Sequence, residues 1–157
     1  MTTSLGPALP PALCARFSQA TLPALLGRGL PLVTRSADGS AHPMLCSYLE
    51  LLAVDARTLR LAIDARSRSA RNLEERAVAT LLMVEPEQTI YVKCRAMGTP
   101  LRLGELARFT LVVEDVLEDA APDTEGPVRI TGGITYAPPP SLDASWARAV
   151  LAALRAG

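Results

Sequence analysis

Apolar and polar residues alternate with period two along several parts of this chain, which is typical of strands that bury one face. Residues 58–63 are the clearest case, because Leu59, Leu61 and Ile63 fall on one face of such a strand. Residues 78–84 form a continuous apolar run, which is typical of a strand buried on both faces. The pattern therefore predicts a mainly β protein.

Six or seven strands are predicted, separated by segments that contain Gly, Pro or Asp. They cover residues 30–36, 42–54, 58–63, 78–84, 89–96, 108–117 and 128–136. Asp38-Gly39 predicts a tight hairpin, because this pair readily takes the positive φ angles that such a turn requires. Turns at residues 55–57 and 85–87 join further neighbours, so the strands are expected to pair in antiparallel order.

Short helices are predicted at the N-terminus, after the third strand and at the C-terminus. Residues 13–26 have helical apolar spacing that is broken at Pro23, which predicts two short helices. Ser67 is the predicted N-cap of a helix that runs to Arg76. The C-terminal helix is predicted for residues 141–156.

The flanking segments have their own signals. Residues 1–11 are punctuated by Gly and Pro and are expected to be loosely ordered, and the acidic residues 118–127 are expected to form a surface loop. Gly132-Gly133 predicts a kink or bulge in the last strand. One side of the C-terminal helix is predicted to form a packing stripe or a dimer contact; it carries Trp146, Val150, Leu151 and Leu154.

Many short antiparallel strands with few helices predict a closed or nearly closed barrel, since closure removes the exposed edges of a sheet. The length of 157 residues predicts a single domain with a core of its own. Aromatic residues make up 4% of the chain, which leaves little surface on which nucleic-acid bases could stack.

Charge and cysteine content exclude several classes of function. The 16 basic and 16 acidic residues balance, so no overall field favours a nucleic acid or an anionic membrane. No apolar run approaches the roughly 20 residues of a membrane span. The three widely spaced cysteines and the single His42 predict neither disulfides nor a metal site. A soluble cytoplasmic protein is expected.

Three arginines near the predicted start of the central helix are the exception to this even charge. Arg66, Arg68 and Arg71 lie where the helix dipole is positive and the first N–H groups are unpaired, so cations are unfavourable there. An anion bound between these groups, most simply a phosphate, would offset that cost. Arginines that extend into solvent are the alternative.

The order of elements around this cluster resembles the pyridoxamine 5'-phosphate oxidase-like split barrels, a superfamily of FMN-binding proteins. The strand LRLAID, the segment ARSRSARNLEE and the strand AVATLLMVEPE are similar to the strand, Ser-Arg-Lys motif, helix and strand of that family. The hairpin VTRSADGSAHPMLCSY is similar to its opening pair of strands. The resemblance implies a six- to seven-stranded antiparallel split β-barrel.

The resemblance also implies a cofactor site. Ser67 and Arg68 would hold the FMN phosphate, and Arg71, one helical turn on, would add a contact. The family's lysine position is Ser69 here, which removes one positive charge. The stretches implied to border the flavin ring through their backbone are Met44, Leu45, Cys46 and Ser47 on one strand and Ala62 and Ile63 on another. Gln88, after a turn, lies near the position of the family's flavin-contacting Gln. Deazaflavin is the alternative cofactor, since relatives that use it share the barrel.

The function implied is a flavin-dependent oxidoreductase that acts on an unassigned small molecule, as a homodimer with each ring bordered by both subunits. No catalytic side chain is assigned, because the flavin carries the chemistry, and His42 and Tyr48 are given no role. The C-terminal sequence SLDASWARAVLAALRAG lacks the Arg-x-His motif of true pyridoxamine phosphate oxidases, so oxidation of vitamin B6 is not expected. A flavin or haem carrier without turnover and a cofactor-free dimeric binding module remain open.

Overall fold

In a computed structural model, which describes residues 1–121, 123–126 and 128–157, the described residues form nine strands and four α-helices. The strands are β1 (Thr2–Gly6), β2 (Arg28–Arg35), β3 (Ala41–Ser47), β4 (Leu51–Asp55), β5 (Thr58–Asp64), β6 (Val78–Glu85), β7 (Gln88–Leu103), β8 (Leu106–Asp119) and β9 (Ile134–Thr135). The helices are α1 (Pro11–Phe17), α2 (Leu22–Leu25), α3 (Arg68–Arg76) and α4 (Ser145–Arg155). Single 3₁₀ turns lie at Tyr48–Glu50 and Asp123–Glu125.

The strands form one antiparallel sheet in the order β3-β2-β6-β7-β8-β5-β4, with β1 paired to β8 and β9 paired to β2. The two outer strands, β3 and β4, are consecutive in the chain and are joined by the 3₁₀ turn Tyr48–Glu50. This turn contacts β2, β3, β4 and β5, so it spans the split between the two edges of the sheet. The sheet is therefore a barrel. The turn Tyr48–Glu50 closes it, because the outer strands β3 and β4 do not pair with each other.

Aliphatic side chains fill the barrel. Leucines dominate its core, and Leu32, Leu49, Leu51, Leu59 and Leu61 are fully buried. Two aromatic side chains of the core, Phe17 and Tyr48, pack with ring centroids 5.5 Å apart. Helix α1 and the closing turn are thus fixed to each other across the core.

The predicted fold class is confirmed, although the sheet has nine strands where six or seven were predicted. Strand β1 was missed because its side chains are exposed and carry no alternation; it pairs with the edge of β8. The predicted strand 42–54 is divided by the 3₁₀ turn into β3 and β4. These two differences also place α3 after the fifth strand of the chain, where the prediction had it after the third.

Several predicted boundaries are wrong. Residues 1–11, for which loose order was predicted, contain the exposed strand β1 and the first residue of α1. The break between α1 and α2 precedes Pro23, which lies in the first turn of α2, where proline is tolerated. Of the predicted strand 128–136 only β9 is paired, and Gly132-Gly133 precedes it outside any strand.

The acidic segment and the C-terminal helix also differ from the predictions. Residues 118 and 119 belong to β8, and Pro122 and Pro127 of the predicted loop 118–127 lie outside the described residues. Helix α4 begins at Ser145, not at Ser141. No helix in the described part of the chain is both long enough and apolar enough to cross a membrane.

Candidate functional site

Helix α3 begins as predicted. Ser67 has extended backbone angles and its hydroxyl oxygen accepts a hydrogen bond from the Ala70 amide at 3.1 Å. The Arg71 amide donates to the Ser67 carbonyl at 3.2 Å. In the described part of the chain the amides of Arg68 and Ser69 have no acceptor, as expected for the first residues of a helix.

The three arginines at this helix start are not equivalent. Arg66 lies just before the N-cap, and its guanidinium contacts the carboxylates of Asp64 at 3.3 Å and Glu105 at 3.5 Å. Among the described residues, neither Arg68 nor Arg71 has a hydrogen-bond or ion-pair partner for its guanidinium. Two cations therefore remain unpaired at the positive end of a helix.

Both unpaired arginines line one cavity of about 340 Å³ between α3 and the β2–β3 hairpin, which we call the arginine cavity. The remaining lining residues are Ser36, Ala37, Asp38 and Ser40 from the hairpin and Asn72, Glu75 and Arg76 from α3. Arg76 pairs with Glu75 at 2.7 Å. The lining thus has three arginines against two carboxylates and favours an anion.

Asn72 fixes the two walls of the arginine cavity to each other. It is 3% exposed, and its side-chain amide donates to the Thr34 hydroxyl at 3.0 Å. Thr34 in turn donates to the His42 carbonyl at 3.3 Å, across the β2–β3 pair. The helix start and the hairpin are therefore held together without any ligand.

Asp38 opposes the positive charge of the cavity. Its carboxylate accepts hydrogen bonds from the Ser40 hydroxyl at 2.6 Å and the Ser40 amide at 2.9 Å. These bonds, with a smaller contribution from the charge of Arg68, hold the pKa of Asp38 below its usual value. An anion in the cavity would meet this carboxylate as well as the arginines.

Ser69, which occupies the family's lysine position, lies on the packed face of α3. Its side chain is 1% exposed and is not part of the arginine cavity. In the described part of the chain its hydroxyl has no hydrogen-bond partner. Position 69 is thus a packing position in this chain.

The residues predicted to border a flavin ring on β3 divide between two faces. Met44 and Cys46 point toward the core, where burial raises the pKa of the Cys46 thiol well above its usual value. Leu45 points outward and is 47% exposed, and Ser47 caps the 3₁₀ turn. Of these four residues, Leu45 and Ser47 line a cavity on the outer face of β3.

Backbone contact remains available at both predicted stretches. Strand β3 pairs with β2 alone, so its other edge is unpaired along the split. Ala62 and Ile63 are buried, at 0% and 2% exposure, but their pairing with β4 stops at Leu61. Each stretch therefore has one free backbone edge; β3 contacts α3, and β5 ends shortly before α3 begins.

The structure does not bring Gln88 into this group. It is exposed at the β6–β7 turn and lines a different cavity, of about 590 Å³, with Asp119 and Arg129. Strand β6 has eight residues, which places its two ends roughly 25 Å apart, and α3 lies at the far end. Gln88 and Arg68 therefore lie at opposite ends of β6 within one protomer, and a flavin contact by Gln88 stays a prediction.

His42 and Tyr48 were assigned no role from the sequence, and the structure gives Tyr48 a structural one. Tyr48 is 2% exposed, and its hydroxyl donates to Glu85 at 2.9 Å. Burial raises the pKa of this hydroxyl. Within the described ranges no cluster of His, Cys, Asp and Glu is arranged to hold a metal ion.

Sequence reasoning did not predict a further cavity, of about 330 Å³, on the outer face of β3. Its walls include Leu45, Tyr136 and Trp146, with Glu50 at one side. The four residues SYLE from Ser47 to Glu50 match the capping-box pattern, which was a usable signal for the turn that carries Glu50.

No protein-family model matches the chain, and no curated protein matches its sequence. Solved structures do match it. A candidate pyridoxamine 5'-phosphate oxidase from Lactobacillus delbrueckii superposes with a TM-score of 0.57 at 13% identity, over 72% of this chain and 97% of that one. An FMN-binding protein from Syntrophomonas wolfei gives a TM-score of 0.55 at 11% identity, over 71% and 88% of the two chains.

A variant of HupZ from Group A Streptococcus gives a TM-score of 0.51 at 13% identity, over 65% of this chain and 99% of that one. Identities this low show a common fold and nothing finer. The chain therefore has the split-barrel fold of the pyridoxamine 5'-phosphate oxidase-like and FMN-binding proteins.

Proposed function

We propose that this protein binds FMN and uses it as a flavin-dependent oxidoreductase on a small molecule. The observation that carries the proposal is the contrast between Arg66, which is paired, and Arg68 and Arg71, which are not. Unpaired arginines at a helix N-terminus are stabilised by a phosphate, because the dipole and the guanidinium groups attract the same anion. An FMN-binding protein has the matching fold, which supports a flavin as the molecule that carries the phosphate.

Several groups at the helix start fit a phosphate. The amides of Arg68 and Ser69 are free to donate, and the Ser67 hydroxyl still has its proton to donate because its oxygen accepts from Ala70. Arg68 and Arg71 supply planar guanidinium groups that can bind phosphate oxygens in pairs. These donors come from one rigid segment, so a phosphate would need little rearrangement to bind.

The flavin ring would lie against the free backbone edges of β3 and β5, at Met44–Ser47 and Ala62–Ile63. A bound flavin supplies the hydride or electron transfer, and the chain's own part is to hold and orient it. Leu45 is the side chain that faces outward there. We further propose a homodimer in which the second protomer borders each ring, and deazaflavin is the alternative cofactor to compare.

The test is a pair of titrations, with FMN and with riboflavin, which lacks the phosphate. We expect wild-type protein to prefer FMN, and Arg68→Ala to weaken FMN binding by about ten- to a hundredfold, with riboflavin binding unchanged. Arg66→Ala is the matched control, because it removes the same charge two residues away from an arginine that is already paired. The phosphate site would be refuted if both variants lost FMN affinity equally, or if Arg68→Ala kept the FMN affinity of the wild type.

Reduction of bound FMN by NAD(P)H, followed as bleaching of the flavin absorbance, separates an oxidoreductase from a carrier. Protein that binds FMN but is not reduced, or that binds haem instead, would favour the carrier. Protein that binds neither flavin nor haem would favour a binding module. Sedimentation equilibrium of the FMN-loaded protein tests the dimer, and a monomer mass would refute it.

A further inference from the structure

The cavity on the outer face of β3, which we call the aromatic cavity, holds the single tryptophan of the chain. Trp146 and Tyr136 are 51% and 38% exposed, and Leu45 is 47% exposed beside them. The other lining residues are Ser47, Glu50, Pro138 and Pro140. Three large apolar side chains thus gather on one exposed face around a space of about 330 Å³.

The wall that carries Tyr136 is held in place by Gly29 of β2 and by Gly27, which precedes that strand. The Tyr136 amide donates to the Gly27 carbonyl at 2.6 Å, directly after the pairing of β9 with β2. The Tyr136 hydroxyl lies so close to Gly29 that a Cβ atom there would be 3.3 Å away. The missing side chain at Gly29 therefore lets the tyrosine lie close against the sheet.

Glu50 gives the aromatic cavity its charge. Its Oε2 accepts hydrogen bonds from the Ser47 amide at 2.6 Å and the Ser47 hydroxyl at 3.1 Å. In the described part of the chain Oε1 has no hydrogen-bond partner. Glu50 is also the one charged side chain among the described residues that line the cavity.

We propose that the aromatic cavity binds a planar organic cation, with its ring against Trp146 and Tyr136 and its charge toward Glu50. Aromatic faces attract cations, most strongly those of tryptophan, and a carboxylate at the side of the cavity adds to that attraction. Anions are disfavoured because no basic residue in the described lining offsets Glu50. The arginine cavity, lined by arginines, has the opposite preference.

This site goes beyond the flavin proposal and does not depend on it. Leu45 and Ser47 belong to the stretch of β3 along which the flavin ring is proposed to lie, so a cation in the aromatic cavity would be a neighbour of that ring. A pyridinium ring is the simplest member of the proposed ligand class. Binding itself is measured on protein that has no flavin.

Trp146 is the only tryptophan, so tryptophan fluorescence, excited beyond the absorption band of the three tyrosines, reports this cavity alone. The probes are 1-methylnicotinamide, nicotinamide and nicotinate, which share one ring and carry a positive, neutral and negative charge. We expect saturable quenching by the cation, with affinity at least about tenfold higher than for nicotinate. Linear quenching that never saturates, or equal affinity for the anion, would overturn the proposal.

Glu50→Gln separates charge from shape, and glutamine preserves the capping box of the 3₁₀ turn. We expect it to weaken the cation at least about fivefold and to leave nicotinamide within about twofold. Glu114→Gln changes an exposed glutamate of β8 outside the cavity and is the control. It should change the affinity for neither 1-methylnicotinamide nor nicotinamide. Unchanged cation affinity in Glu50→Gln would refute the role of the carboxylate.

Tyr136→Leu gives a second, independent variant, since it removes the aromatic wall and keeps the charge. We expect it to weaken both 1-methylnicotinamide and nicotinamide, and unaltered binding of both would refute the site. These readouts involve none of the arginines of the arginine cavity. Absence of cation binding at the aromatic cavity would not affect the FMN titrations. Loss of FMN binding in Arg68→Ala would likewise not affect the binding of 1-methylnicotinamide.

Discussion

At the scale of single residues, the arginine cavity contains one group that works against its proposed ligand. Asp38 is kept ionised by its bonds to Ser40, and it shares the cavity with Arg68. We predict that Asp38→Asn raises FMN affinity by about two- to fivefold at low salt, because a repulsive charge is removed. Riboflavin affinity should stay the same, as measured by flavin fluorescence.

Asp55→Asn is the matched control for Asp38→Asn. Asp55 also accepts a hydrogen bond from the amide two residues later, Arg57, in an exposed turn, but it lies outside the arginine cavity. Asparagine can keep the turn in both variants. An equal gain in both would indicate a general effect of net charge and would contradict the placement of phosphate beside Asp38.

Glu50 leads to a prediction about stability and pH. Burial raises the pKa of its carboxyl above 4.5, and the bonds from Ser47 only partly offset this. A raised pKa means that the folded state holds the proton more tightly than the unfolded state. The contribution of Glu50 to stability is therefore present below about pH 4.5 and is lost as the pH rises through the folded-state pKa.

Glu50→Gln cannot lose a proton, so its free energy of unfolding should improve relative to wild type as the pH rises from about 4 to about 7. Urea unfolding at several pH values measures the difference. Glu105→Gln, on an exposed glutamate, should show no comparable trend. A constant difference between Glu50→Gln and wild type at all pH values would contradict a raised pKa.

At the scale of elements, the end of α4 is attached to the barrel by two arginines of the sheet. Arg60 of β5 donates to the carbonyls of Leu154 at 2.9 Å and Ala156 at 3.2 Å, and Arg108 of β8 donates to Ala156 as well. Cations at a helix C-terminus satisfy its free carbonyls and complement its dipole. The buried side of α4 is thereby held against β5 and β8.

We predict that Arg60→Ala lowers the free energy of unfolding by about 1–2 kcal/mol, because two charge-assisted hydrogen bonds to α4 are lost. Arg155→Ala is the control, since Arg155 lies in the last turn of the same helix but is exposed. Arg155→Ala should lower the free energy of unfolding by much less than Arg60→Ala does. Chemical denaturation of both variants checks this, and equal losses would show that the Arg60 contacts add nothing.

The elements that sequence could predict are those whose patterns reflect local physics. The hairpin at Asp38-Gly39, the N-cap at Ser67 and the apolar strand β6 follow from turn angles, capping and burial, and the structure has all three. Residues 97–103 of β7 were missed because Gly98 interrupts the pattern at a register shift and the hairpin there is exposed. The pattern of apolar and polar residues gives no signal where a strand is exposed.

Long-range placement explains the other misses. The helical spacing of Trp146 matches that of Val150 and Leu154, yet Trp146 is 51% exposed at the aromatic cavity while the other two are buried. Ala147 and Ala153 occupy the packed side instead. Gln88 was assigned from the family resemblance, at the turn after β6, and β6 separates it from the arginines within the protomer. Neither outcome follows from spacing along one element.

At the scale of the whole molecule, Glu85 joins elements that are far apart in the chain. It ends β6, is 6% exposed, and accepts hydrogen bonds from Arg28 of β2 at 2.5 Å and from Tyr48 of the closing turn at 2.9 Å. Arg16 of α1 lies 3.7 Å away. The barrel sheet, the turn that spans its split and the N-terminal helix therefore meet at one buried carboxylate.

We predict that Tyr48→Phe lowers the free energy of unfolding by about 2 kcal/mol, because a buried carboxylate loses a donor that no water replaces. Tyr91→Phe is the matched control, since the Tyr91 hydroxyl donates to Asp119 at the same 2.9 Å but in a far more exposed place. There water can take over the bond, so the loss should be a small fraction of that in Tyr48→Phe. Thermal and urea unfolding of the two variants measure the difference. Similar losses in the free energy of unfolding would mean that burial of Glu85 does not strengthen its hydrogen bond with Tyr48. A large loss confined to Tyr48→Phe would show that the closing turn is held to the barrel by this one bond as well as by apolar packing.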